Sequence, residues 1–162
     1  MVQKTVGGIP ELVPECSILS VGTINTKDKA GQYNGYLLTL VNQYEPGTVP
    51  IEQVYITVCE PGDVKGPHMH YPPKYDRFYC IEGSAAIVCR SEHTGKISEF
   101  VLVAFDKQLL LIPPLNSHSI VALNNQRASI LSIPSEGFNP SEPYNQIETK
   151  YDGYDWTKWS SL

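Results

Sequence analysis

An all-β domain, built as a sandwich or barrel of short strands, is the fold class this sequence predicts, on three observations. Its apolar residues come in runs of about four to six, rich in Val, Ile, Leu and aromatics, the length of a strand rather than of a globular helix. Gly, Pro, Asn and Asp turn signals separate these runs at short intervals. Between residues 1 and 140 no stretch keeps apolar residues at i, i+3, i+4 and i+7 for even three turns.

The first strands are expected near 18–21, 36–41 and 54–59, where β-branched, leucine or aromatic side chains dominate. Glu60-Pro61-Gly62-Asp63 closes the third. Runs at 78–81 and 85–89 flank the turn Glu82-Gly83-Ser84, and Thr94-Gly95-Lys96 leads towards a run at 100–103. A run at 109–112 stops at Pro113-Pro114, and runs at 119–123 and 129–133 are parted by Asn124-Asn125. Only Pro143 to Trp159 has room for a short helix. Tyr144, Tyr151, Tyr154, Trp156 and Trp159 crowd there among acids and amides. Rings with an apolar body and a polar tip suit a half-wet surface, so an arm packed over the barrel is expected. Covering a partner subunit or a ligand mouth is the alternative use. The expected organisation is a barrel over residues 1–140, N-terminal strands included, and an aromatic arm over 141–162.

At 162 residues the chain is one domain, long enough to bury a core without a metal or disulfide staple. Twelve Lys and Arg against 17 Asp and Glu give a net charge of −5, which argues against the basic footprint nucleic acid requires. No apolar run is long enough to span a membrane, and Met1 to Gly8 lack the apolar stretch of a secretory signal. Cys59, Cys80 and Cys89 sit inside apolar runs, Cys16 lies near the N-terminus, and no C-x-x-C pair occurs. Buried free thiols and a missing signal make a reducing cytoplasm the expected location.

Chemistry concentrates between Glu60 and Gly83. His68 and His70 are two apart, so on a strand both imidazoles point to one face. Asp76 begins the next strand, sharing a face with Phe78 and Cys80, while Arg77 and Tyr79 take the other. Ile112-Pro113-Pro114-Leu115-Asn116-Ser117-His118 adds a third histidine at a strand start, and His93 stands apart in a polar turn. Three converging histidines and an acid make a site.

These residues resemble the cupins. Pro61-Gly62, five residues, His68, one residue, His70, then Asp76 and, six residues on, Gly83 follow the first cupin box, and Pro113 to His118 follows the second. The resemblance implies a double-stranded β-helix barrel of jelly-roll type with a short C-terminal extension. Asp76 replaces the usual Glu about one residue late, and Leu115 stands where the second box has Gly. Among cupins the chain is most similar to enzymes that remodel nucleotide-linked 4-keto sugars. Lys65-Gly66-Pro67-His68-Met69-His70 resembles the R-G-L-H-Y-Q of dTDP-4-keto-6-deoxy-sugar 3,5-epimerases, with His68 on the general-base histidine. It also resembles the R-G-x-H-x-H of the 3,4-ketoisomerases. Lys96 to Leu102, Ile112 to His118 and the acidic-aromatic stretch Tyr151 to Trp156 are similar to further pieces of these enzymes. The epimerases' Lys after the base falls at Asp76, beside Lys74 and Arg77. Their general-acid Tyr falls near Ser132.

The resemblance implies an isomerase that abstracts a proton beside a ketone, with catalytic His68, His70, Asp76 and His118. Imidazole is a natural base near neutral pH, and such help is worth about 10²–10⁴-fold. The developing enolate needs a donor or cation, for which Lys65, Lys74, His70 or a metal could serve. Lys65, Lys74, Arg77 and Arg90 are the candidate cations for a diphosphate, and Tyr71, Tyr75 and Tyr79 the candidate stacking rings. Two alternatives stay open: a metal-dependent cupin with His68, His70, Asp76 and His118 as ligands, and a non-catalytic ligand-binding cupin. No organic cofactor is implied. The expected partners are a nucleotide-sugar substrate and a second copy in a homodimer.

Overall fold

The computed structural model describes residues 15–44, 48–142 and 146–160. Tyr144, and the stretch Met1 to Gly8 read above for a signal, lie outside them. Strands β1 (Ser17–Ser20), β9 (Gln108–Ile112), β6 (Asp76–Glu82), β11 (Ala128–Ser132) and β4 (Tyr55–Cys59) form one antiparallel sheet in that order. Strands β12 (Gln146–Glu148), β5 (Val64–His70), β10 (Asn116–Ala122), β7 (Ser84–Ser91) and β8 (Ile97–Val103) form the second. The two sheets face each other as the expected jelly-roll barrel. A hairpin of β2 (Gly22–Lys27) and β3 (Tyr33–Thr39) lies outside them.

Alternation along the strands builds the core. Phe78 and Cys80 of β6, Leu110 and Ile112 of β9, Ile87 of β7 and Ile130 of β11 meet between the sheets. The alternate residues of β7, Ala86 and Val88, are equally buried, because the C-terminal arm covers that outer face with Tyr151 and Trp159. This explains why β7 reads as one continuous apolar run: it is covered on both sides. On the other sheet the hairpin contributes Leu38, which packs with Leu40 and Val21 over Tyr79 and Leu109.

Every expected strand forms within a few residues of its apolar run, and three strands have no such run. β2 is mostly polar and is recruited by pairing with β3. β5 carries Gly66-Pro67 in its middle, where the register against β10 shifts between His118 and Ile120. β12 has only three residues, and its pairing with β5 makes it a strand. The helix expected near the C-terminus is a single 3₁₀ turn, Trp156–Trp159, capped by Asp155, whose carboxylate accepts from the Thr157 N–H. All four cysteines are free, and no helix among the described residues is long and apolar enough to cross a membrane.

The arm's rings lie on the chain's own sheet. Tyr151 stacks on Trp156 with centroids 5.7 Å apart, and its hydroxyl meets Ser117 Oγ at 3.0 Å. Ending the chain at Lys150 uncovers Val88 and Val121 and is expected to cost about 3 kcal/mol or more, the scale of losing a buried aromatic. Urea unfolding reads this directly. An unchanged midpoint would show that the rings contribute nothing to the barrel.

Candidate active site and metal centre

The histidines converge through pairing across the second sheet. His118 of β10 lies directly opposite His68 of β5, so the two imidazoles share the inner face, and His70 joins them by strand alternation. Ring centroids are 4.6 Å apart for His68–His118, 5.0 Å for His68–His70 and 5.3 Å for His70–His118. One nitrogen from each ring lies within 4.8 Å of the others. Asp76 reaches in from the facing sheet, and its Oδ2 is 3.2 Å from His70 Nε2. Phe78 closes the floor, its ring edge-on to His118 at 5.1 Å.

Electrostatics keep His68 and His118 neutral. Burial, joined by the neighbouring His70 and Lys74 against the pull of Asp76, lowers the pKa of His68 to about 4. Burial lowers that of His118 to about 3, with Asp76 opposing. For Asp76 burial acts upwards, but contact with His70 and the nearby His118 outweigh it, and the carboxyl stays below its ordinary range. Both nitrogens of His70, Nδ1 of His118 and Oδ1 of Asp76 are buried without a hydrogen-bond partner, the 3.2 Å approach to Asp76 lying off hydrogen-bond geometry. Buried polar atoms are seldom left so. Three convergent imidazole nitrogens, with a carboxylate beside one of them, fit a divalent metal ion, whose ligands sit at about 2.0–2.2 Å.

Gly66 lets β5 approach at this point. It has φ +85°, and a Cβ there would stand 2.6 Å from the His118 carbonyl oxygen. Leu115, where the second cupin box has glycine, adopts φ 63°, so the usual glycine answers a left-handed backbone that this chain keeps with a leucine.

Two cavities flank the histidines. One of about 320 Å³ opens on His70 and is lined by Glu52, Tyr71, Lys74, Glu136 and Glu142. The other, about 300 Å³, opens on His68 beside Gln146, Glu148 and Thr149. Of the sequence-derived binding residues the structure brings Lys74 to the site, its Nζ donating to the Glu136 carbonyl. Lys65 is exposed at the start of β5 opposite Ile120, and its charge acts on Cys59 rather than on the histidines. Arg77 and Tyr79 point to the outer face of their sheet, as parity requires, and Arg90 is paired with Glu92 beneath the arm. None of these four reaches the histidine cluster, because successive residues of a strand point to opposite faces.

Sequence reasoning passed over two residues. Tyr55 of β4 is the register partner of Ser132 of β11, so a phenol stands beside the position where the similar epimerases' tyrosine falls. Burial, then the charge of Asp76, push its pKa up to about 12. Glu148 of β12 lies opposite His68, on the same face. Neither carries a local signal. Only strand pairing places them.

A jelly-roll barrel with three histidines converging between its sheets, and an acid beside them, has the cupin fold. The chain belongs to the family described as the polysaccharide biosynthesis C-terminal domain, whose model matches residues 35–145. Among solved structures it is similar to a dTDP sugar isomerase from Desulfovibrio desulfuricans G20, with a TM-score of 0.73 at 15% identity over 93% of this chain and 97% of that one. A dTDP-4-dehydrorhamnose 3,5-epimerase from Elizabethkingia anophelis NUHP1 superposes with a TM-score of 0.69 at 19% identity, covering 91% and 84%. Both likenesses are of fold. The capsular polysaccharide assembling protein CapF from Staphylococcus aureus is 25% identical, with a TM-score of 0.55 over 62% of this chain. That match covers 29% of the CapF chain. No curated protein matches the sequence.

Proposed function

We propose that this chain is an epimerase or ketoisomerase of nucleotide-linked keto sugars, of the dTDP-4-keto-6-deoxy-hexose type, that works with a divalent metal ion. The observation that carries the metal is the cluster of three imidazoles with one nitrogen from each within 4.8 Å of the others, in which both nitrogens of buried His70 and Nδ1 of buried His118 lack hydrogen-bond partners. His68, His70 and His118 would hold the ion, with Asp76 as fourth ligand or as the group orienting His70. Such an ion supplies Lewis-acid polarisation of a substrate carbonyl. Support for the sugar chemistry comes from the family's place in polysaccharide biosynthesis and from neighbours named as dTDP-sugar isomerases and epimerases.

The chain's own groups then move the proton. Glu148, across from His68, is the carboxylate placed to take a proton from the sugar carbon beside the ketone. Tyr55 stays protonated at neutral pH and can deliver one from the opposite sheet. Lys74 is the cation for the anionic end of the substrate. Ile24 and Leu37, exposed on the hairpin, offer a homodimer an apolar surface.

A second reading keeps His68 as the general base with no metal. It is favoured by one observation: His68 alone of the three is half-buried and opens on its own cavity. Metal analysis of protein purified without a histidine tag separates the two, and sedimentation of the same sample reads the mass. About one equivalent of metal per chain is expected. Metal-free protein that turns over 4-keto nucleotide sugars would transfer the role to His68. Protein that neither binds nor turns over any nucleotide sugar would leave the non-catalytic ligand-binding reading.

A further inference from the structure

On the far side of the β1–β9–β6 sheet, away from the histidines, lies a cavity of about 610 Å³ that the proposed chemistry does not use. It falls in the size range of ligand pockets. Its walls come from Leu19 of β1, Leu109 and Leu111 of β9, and Leu40, Val41 and Val49 beyond β3. Arg77 of β6 is its charged group, only 4% exposed. The guanidinium carries five N–H donors. Among the described residues its acceptors are two backbone carbonyls, Val49 O at 3.0 Å and Ile133 O at 3.5 Å, and it forms no ion pair. Asp76, its neighbour in sequence, faces the other side of the sheet and is engaged with His70. Glu15 at the rim is exposed and paired with Lys96 at 2.7 Å. A buried guanidinium held by carbonyls alone carries a desolvation cost that an anion would offset.

We propose that this cavity is a second binding site, taking a small organic monocarboxylate whose headgroup sits on Arg77 and whose apolar body lies against Leu19, Leu40 and Leu109. Charge and shape select that class. A planar guanidinium matches a carboxylate in bidentate fashion, and a single cation balances one negative charge, where a nucleoside diphosphate would need several. The leucine walls exclude a free inorganic anion from being the best ligand, since it would leave them unfilled.

Calorimetric titration of the full chain with octanoate, acetate, 1-octanol and inorganic phosphate tests the site. Octanoate is expected to bind about 10-fold or more tightly than any of the other three, each of which lacks the tail, the charge or both the tail and the planar headgroup. Arg77→Met should weaken octanoate about 10- to 100-fold, the worth of a hydrogen bond to a charged group. Leu40→Trp, which fills the cavity and spares Arg77, should also abolish the heat, and it decides the matter if Arg77→Met fails to fold. Failure of the wild type to bind octanoate, unchanged affinity in Leu40→Trp, or tighter binding of phosphate or octanol would overturn the proposal.

Discussion

His118→Asn is expected to leave a folded barrel with no bound metal and turnover reduced by about 10²-fold or more, the scale on which lost ligation and lost polarisation act. His118 sits between the sheets at 2% exposure, and an asparagine there removes one of three converging nitrogens. His70→Asn should behave alike and also release Asp76 from its 3.2 Å contact. The informative comparison is His68→Asn. Under metal ligation it loses metal and activity together with the other two. Under general-base catalysis it keeps any metal and loses turnover alone, by about 10²–10⁴-fold. Wild-type protein should exchange solvent deuterium into the sugar carbon beside the ketone, and Glu148→Gln should slow that exchange with the metal retained. Full exchange in Glu148→Gln would remove Glu148 from the proton path.

Gly83→Ala is expected to cost roughly 3 kcal/mol or more. Gly83 turns β6 into β7 at φ +66°, and a Cβ built there stands 2.1 Å from the Arg127 carbonyl oxygen. The left-handed backbone alone costs an alanine about 1–2 kcal/mol. The collision adds to it, because two turns joining four core strands must separate to make room. Gly95 supplies the control. It too is left-handed, at φ +72°, but nothing lies within 4 Å of its Cβ position. Gly95→Ala should therefore show the backbone cost by itself, about 1 kcal/mol. Urea midpoints of the two variants measure the difference, and equal losses would mean that the Arg127 contact relaxes at no cost.

Much of this molecule was legible in one dimension. Strands such as β7, β9 and β11 announce themselves because apolar period and β-branched content are local properties, read over five or six residues. The pairing of His68 with His70 on one face follows from alternation alone. So does the outward direction of Arg77 and Tyr79, which parity opposes to Asp76. The site's three-histidine core was visible for this reason, as spacing within two turn-to-strand junctions.

The rest was decided by which strands become neighbours. Nothing near residue 118 says that it will stand opposite residue 68, and nothing near Tyr55 says that it will face Ser132. β12 has no apolar run and is a strand only because the open edge of β5 offers it hydrogen bonds; Glu148 arrives beside His68 by that route. The arm illustrates the same point, since its aromatic composition permits a partner, a mouth or a sheet face, and the apolar outer face of β7 and β10 selects the last. Sequence by itself therefore determined the strands, their inward and outward residues and the histidine spacing, all set by side-chain period and turn chemistry. Tertiary structure alone decided strand partners and register, and with them the cavities, the buried guanidinium and the neutral state of His68 and His118. Long-range pairing is chosen by burial of the whole core, a sum over both sheets that no local window contains.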